Sequence, residues 1–240
     1  MRFLFYFLCS FCWFSCGQTE KKIVVADPKY CANEKFLFGV DDSIKKLELN
    51  MQQDRDSLLN DIEKLLGTVP CEKETIFGMD IGHSRILKLG VFKSCGTIHC
   101  GLDPYLSIEL CSQNKILVNM FLSEVDSIPF LAARYIENSA IGSTISSRLY
   151  DGSVLLNWHK DTDEKRIKKV MESIIDGYMI VYKKLALENF KKPLYKLNAN
   201  ELNDLKSILD FDIQIGCNWS SPNQKTIDCF EFTRLLDGKI

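Results

Sequence analysis

The sequence predicts an α+β fold, a small mixed sheet with two or more helices packed on one face, preceded by a helical and hairpin-containing N-terminal region. Three observations carry this. Apolar residues recur at helical spacing over residues 42–66, over 128–138 and from 163 to the proline at 193. Between residues 75 and 120 the pattern changes to short apolar runs punctuated by Gly, Asp, Ser and Asn, which is strand and turn chemistry. Within that stretch Leu106, Ile108 and Leu110 alternate with Tyr105, Ser107 and Glu109, as a half-buried strand requires. Composition agrees: of 240 residues 46% are hydrophobic and 26% charged, enough for one or two compact domains and too polar for a multi-span transporter. Thirty Lys plus Arg against thirty-two Asp plus Glu give a net charge of −2, so no basic field gathers nucleic acid and no nucleic-acid partner is expected.

Taken in order, residues 1–16 read as a signal peptide, 17–40 as a tether, 41–103 as a helical then strand-rich region without an assigned role, 104–216 as the main domain and 217–240 as a C-terminal extension. Ile44, Leu47, Met51, Leu58, Ile62 and Leu65 are spaced mostly by three, four and seven, which predicts one long helix or two shorter ones ended by Gly67 and Pro70. Strands are expected over 84–92, 104–110 and 115–120, the last two forming a hairpin across 111–114. A helix over 128–138 would be capped by Asp126 or Ser127, with Pro129 in its first turn where a missing N–H costs nothing. A Gly-Ser-rich link over 139–147 leads to a strand at 154–158. Asp163 then caps the strongest helix, whose stripe of Ile167, Val170, Met171, Ile174, Ile175, Tyr178, Val181, Tyr182 and Leu185 reads as core. Gly177 within it costs about 1 kcal/mol of helix propensity relative to alanine, so it permits a close contact or marks a kink. A shorter helix over 201–209 and a strand over 211–215 complete the domain.

The N-terminus sets the expected compartment. Arg2 is the only charge before Glu20, and residues 3–16 form one continuous run of Phe, Leu, Tyr, Trp, Cys and Ser. A bilayer-crossing helix needs roughly 20 apolar residues and a secretory apolar region roughly 7 to 15, so the length favours an export signal. Ser15-Cys16-Gly17 resembles a bacterial lipobox, in which cleavage precedes a cysteine that receives diacylglycerol, although Trp13 and Phe14 depart from its usual small or aliphatic residues. Cys16 is therefore the expected lipid-attachment site and the lipid the membrane contact. The alternatives are ordinary cleavage after Gly17, giving a soluble secreted protein, and a retained N-terminal anchor.

Seven further cysteines, Cys31, Cys71, Cys95, Cys100, Cys111, Cys217 and Cys229, lie beyond the signal region. In an oxidising envelope compartment such a set is usually a disulfide set, and the odd count leaves at least one thiol over. The close pairs Cys95 with Cys100 and Cys217 with Cys229 are the disulfide candidates. A zinc site from Cys95, His99 and Cys100 lacks a second ligand pair, so no metal is expected. Of the histidines, His83 follows Asp80 by three residues, His99 adjoins Cys100, and His159 precedes a strand-to-helix turn; each reads as a loop residue without a positioned nucleophile. No Gly-rich phosphate loop, HExxH or GxSxG occurs, so neither a catalytic residue nor a cofactor is expected beyond diacylglycerol on Cys16. A secreted disulfide-containing hydrolase or ligand-binding protein is the alternative reading.

The pair "LSIELCSQNKILVN", a capped helix, the strand "VLLNWHKDTD" and the tail "GYMIVYKKLALENFKKPLYKLNANELNDLKSIL" together resemble the periplasmic domain of the ExbD/TolR family of biopolymer transporters, over about residues 104–216. In that family a transmembrane helix carries a proton-handling aspartate, and the periplasmic domain dimerises and engages peptidoglycan or a TonB-like protein. No acidic residue lies between Met1 and Cys16, so the proton role does not carry over. The resemblance implies a lipid-anchored envelope protein facing the periplasm, with a binding or accessory role in an energy-transfer or biopolymer-transport complex. The expected partners are an envelope protein or peptidoglycan, and a homodimer is a further expectation.

Overall fold

The computed structural model describes residues 30–39, 42–53, 55–67, 74–82, 85–92, 105–111, 115–141 and 152–215. In chain order they form α1 (Ala32–Phe38), β1 (Lys46–Leu47), α2 (Arg55–Leu66), β2 (Glu74–Asp80), β3 (Ile86–Phe92), β4 (Leu106–Leu110), β5 (Ile116–Val118), β6 (Phe121–Ser123), α3 (Ile128–Ile141), β7 (Val154–Trp158), α4 (Glu164–Phe190), α5 (Ala199–Ile208) and β8 (Ile213–Ile215). The eight strands make one mixed sheet in the order β1-β2-β3-β8-β7-β4-β5-β6, so the fold is α+β as expected. Strands β3, β8, β7 and β4 run parallel in its centre, and the β2–β3, β4–β5 and β5–β6 pairs are antiparallel.

Strand register explains why the alternating residues are apolar. Leu106, Val154 and Ile213 stand side by side, as do Ile108, Leu156, Ile215 and Val91, and all are buried. Beyond β3 the same face continues through Leu89 with Phe77 and Leu87 with Met79. Residues of all five helices belong to the core on this face, among them Phe38, Ile62, Ile136, Tyr178 and Leu205. Strand β3, from the region over 41–103, pairs directly with β8 of the 104–216 region.

The long helix behaves as its stripe requires. Each of the nine stripe residues is buried, and the Asp163 side chain accepts from the Lys165 N–H at 3.2 Å. Asp163→Ala is expected to cost about 1 kcal/mol through loss of this cap, read as a lower urea midpoint with an unchanged slope. Gly177 makes the close contact: a Cβ there would lie 2.7 Å from Ala132 Cβ and 2.9 Å from the Pro129 carbonyl oxygen of α3. The helix ends at Phe190 with Lys191 in the left-handed conformation at φ 54°, two residues before Pro193. Asn198 and Glu201 then exchange backbone bonds of 3.0 and 2.9 Å as the capping box of α5.

Four expectations are corrected. Of the helix or helices over 42–66 only α2 forms; residues 42–53 hold turns and β1, because Asn50 Oδ1 takes the Gln52 N–H at 3.0 Å in a local turn that competes with helix. Leu47 and Met51 are buried all the same, the first on β1 beside β2 and the second with its carbonyl accepting from Trp158 Nε1 at 2.9 Å. The stretch 17–40 is not tether throughout, since Tyr30 is buried and α1 docks Leu37 and Phe38 into the core. Ser127 does directly precede α3, but with Asp126 it belongs to a 3-10 turn over Val125–Ser127, and its hydroxyl donates back to the Glu124 carbonyl at 2.7 Å instead of accepting from the helix. Finally, β2 and β6 are strands that local patterning did not separate from their surroundings.

Candidate functional site

Most residues singled out from sequence lie outside the described residues: Cys16, Cys95, Cys100, Cys217 and Cys229, together with His83 and His99. Cys111, buried just beyond β4, is disulfide-bonded, and Cys31 is a free thiol at the start of α1. His159 is a turn residue: its Nδ1 accepts from the Asp161 N–H at 3.3 Å and stands 3.4 Å from Asp161 Oδ2. Among the described residues no group of three or more His, Cys, Asp or Glu is placed to hold a metal ion, and no helix is long and apolar enough to cross a membrane.

Two features stand out instead. The first is the sheet edge at β6, where no further strand pairs among the described residues. The β5–β6 turn is made by Asn119 and Met120 at φ 47° and 69°. Hairpin turns of two left-handed residues favour Asn followed by Gly, and Asn119 fits: its Oδ1 accepts from the Ser107 N–H at 2.9 Å and its own N–H donates to the Ser107 carbonyl at 2.8 Å. Met120 occupies the glycine position at a conformational cost. It is 44% exposed, and the next two residues, Phe121 and Leu122, are 75% and 58% exposed. Phe130, in the first turn of α3, is 70% exposed. Three consecutive large apolar residues, exposed from a turn into a strand edge with no described neighbour, are what soluble domains ordinarily avoid.

The second feature is a carboxyl cluster where β3, β8 and β7 meet. Ser153 Oγ and Gln214 Nε2 donate to Asp212 Oδ2 at 2.5 and 3.1 Å. The Glu74 side chain folds over Gly90 so closely that a Cβ on that glycine would collide with Glu74 Oε1. There it faces the carboxyl of Asp212. Although the Glu74 residue as a whole is exposed, its carboxyl is tucked inward. Burial, then the neighbouring Asp212 charge, push it up to about 7. Burial also raises Asp212, against the opposing bonds from Ser153 and Gln214. Because those donors favour the Asp212 anion, a proton taken up by the pair is better held on Glu74, from which it can be donated to Asp212. Lys88 Nζ pairs with Asp210 at 3.0 Å beside them. Beneath the cluster the Tyr178 hydroxyl shares its one proton between the carbonyls of Gly152 at 2.6 Å and Asp212 at 2.8 Å and accepts from the Asp212 N–H at 3.3 Å, fixing the backbone that carries Asp212.

No family model matches the chain, and neither a curated protein nor a solved structure matches it. Sequence reasoning passed over both features. The triplet Met120-Phe121-Leu122 directly after an asparagine was a legible signal for the first; for the second, no local pattern links Glu74 to Asp212.

Proposed function

We propose that this protein is an exported envelope protein, lipid-anchored through Cys16 and facing the periplasm, that acts by binding a partner as an accessory part of an ExbD/TolR-like energy-transfer or biopolymer-transport complex. The observation that carries the binding role is the β6 edge, which no described strand pairs and which displays Met120, Phe121 and Leu122. An extended segment of an envelope protein fits it: main-chain hydrogen bonds would extend the sheet, and alternate apolar side chains would meet Phe121 on one face and Leu122 on the other. Lipid tethering supports the role, since each buried CH₂ of the acyl chains adds about 0.8 kcal/mol of anchoring. Confinement then raises the effective partner concentration to about the millimolar range, at which a short edge suffices. The bonded state of Cys111 suits an oxidising compartment.

The test joins anchor and edge. Intact mass of the membrane fraction is expected to show a diacylated species beginning at Cys16 that Cys16→Ala abolishes. A photoreactive residue in place of Leu122 is expected to give a discrete cross-link to an envelope protein, while one in place of the exposed Lys64 does not. An unmodified chain beginning at Gln18 would remove the anchor, and equal labelling from positions 122 and 64 would remove the edge.

A further inference from the structure

The two halves of the sheet meet along a short line. β3 and β8 share two residue pairs, Gly90 with Gln214 and Val91 with Ile215, whereas β2 and β3 share seven and β4 and β7 share five. Glu74 stands one strand beyond that line, at the start of β2, and Asp212 lies just before β8 on its far side. Gly90 lies directly between them, and its lack of a side chain is what lets the Glu74 carboxyl pass over β3. The charged groups facing the pair are Lys88 on β3 and Asp210 ahead of β8; the neutral donors are Ser153 ahead of β7 and Gln214 on β8.

We propose that the Glu74–Asp212 carboxyl pair is a proton-operated latch on this seam: with one shared proton it ties β2 to β8 across Gly90, and when that proton leaves, the two like charges repel and the β1–β3 half loosens from the β8–β7–β4 half. With the proton in place the neighbourhood holds the Lys88 cation against two anions, Asp210 and the pair. Without it, Lys88 faces three carboxylates while its ammonium is already engaged by Asp210 at 3.0 and 3.1 Å, so the added charge finds no free counter-ion among the described residues. The direction with pH comes from Glu74. Its ordinary value is 4.5 and its folded value about 7, so between the two the folded chain keeps a proton that the unfolded chain has lost. Stability held in acid therefore falls as pH rises through that window, and the pair's contribution is gone above it. This is opposite in sign to the usual salt-bridged carboxylate.

The test is hydrogen exchange of the full chain at about pH 5.5 and about pH 8, read as protection relative to the intrinsic rate at each pH. In the wild type, amides of β3 and β8 are expected to lose about ten-fold in protection at the higher pH while those of α4 hold theirs. Glu74→Gln is expected to keep seam protection at both values, because its neutral amide still donates to Asp212. Gly90→Ala, whose Cβ turns the Glu74 carboxyl outward, is expected to remove the pH response by the other route. Should Glu74→Gln fail to fold, Gly90→Ala carries the test alone. A wild-type seam that does not respond to pH, a response spread equally over α4, or a variant that keeps the wild-type response would overturn the latch.

Discussion

Gly177→Val is expected to destabilise the protein by about 3 kcal/mol or more and to lower its thermal midpoint by about 6–12 °C. The reason is contact distance. A single Cβ at position 177 would already stand 2.7 Å from Ala132 Cβ and 2.9 Å from the Pro129 carbonyl oxygen, and the latter is backbone that cannot swing aside. Branched valine adds two methyl groups to that collision, so α3 and α4 must separate along their buried faces. Gly177→Ala should lose less, because alanine regains about 1 kcal/mol of helix propensity while still forcing Ala132 and the Pro129 backbone to move. Thermal unfolding of both variants checks the order: valine worst, alanine between valine and wild type. An alanine variant more stable than wild type would show that the interface yields freely.

The second large effect is expected at Tyr178. Tyr178→Ala should cost about 4 kcal/mol, because the ring is fully buried and stands 4.6 Å, centroid to centroid, from Phe211. Tyr178→Phe separates out the hydroxyl and should cost about 1–2 kcal/mol. The Asp212 carbonyl keeps its bond from the Val154 N–H at 3.0 Å, so the oxygen left without a described donor is that of Gly152. Urea unfolding gives both numbers. If the phenylalanine variant proves as stable as wild type, the hydroxyl does not organise the backbone around Asp212.

How much of this was legible depends on how local each signal is. The α4 stripe, its Asp163 cap and the close approach at Gly177 could be read because a helix places its partners within a few residues and repeats the pattern over 27 residues. Strand β4 could be read for the same reason, through Leu106, Ile108 and Leu110. Residues 42–53 misled because Leu47 and Met51 are buried at spacings that suit a helix, while Asn50 closes a turn and β1 needs only two residues. The two functional candidates were hidden for different reasons. At β6 the expected strand stopped at Met120 and left Phe121 and Leu122 unassigned, and only the sheet order shows that no described strand lies beyond them. At the seam the ion pair Lys88–Asp210 joins residues 122 positions apart, and Glu74 reaches Asp212 only because two parallel strands happen to be neighbours. Parallel pairing leaves no short-range trace in a sequence.

The position of β8 has a consequence for how the molecule comes into being. The last described strand does not sit at a margin; it is inserted between β3 and β7, so the sheet cannot close until residues 213–215 are available. Contacts between such distant segments form late, since the entropy of a large loop must be overcome before any pairing is gained. The growing polypeptide therefore has no complete sheet to settle into while its C-terminal part is still being made. Under the export proposed above, that delay would keep the chain pliable for passage through a narrow pore.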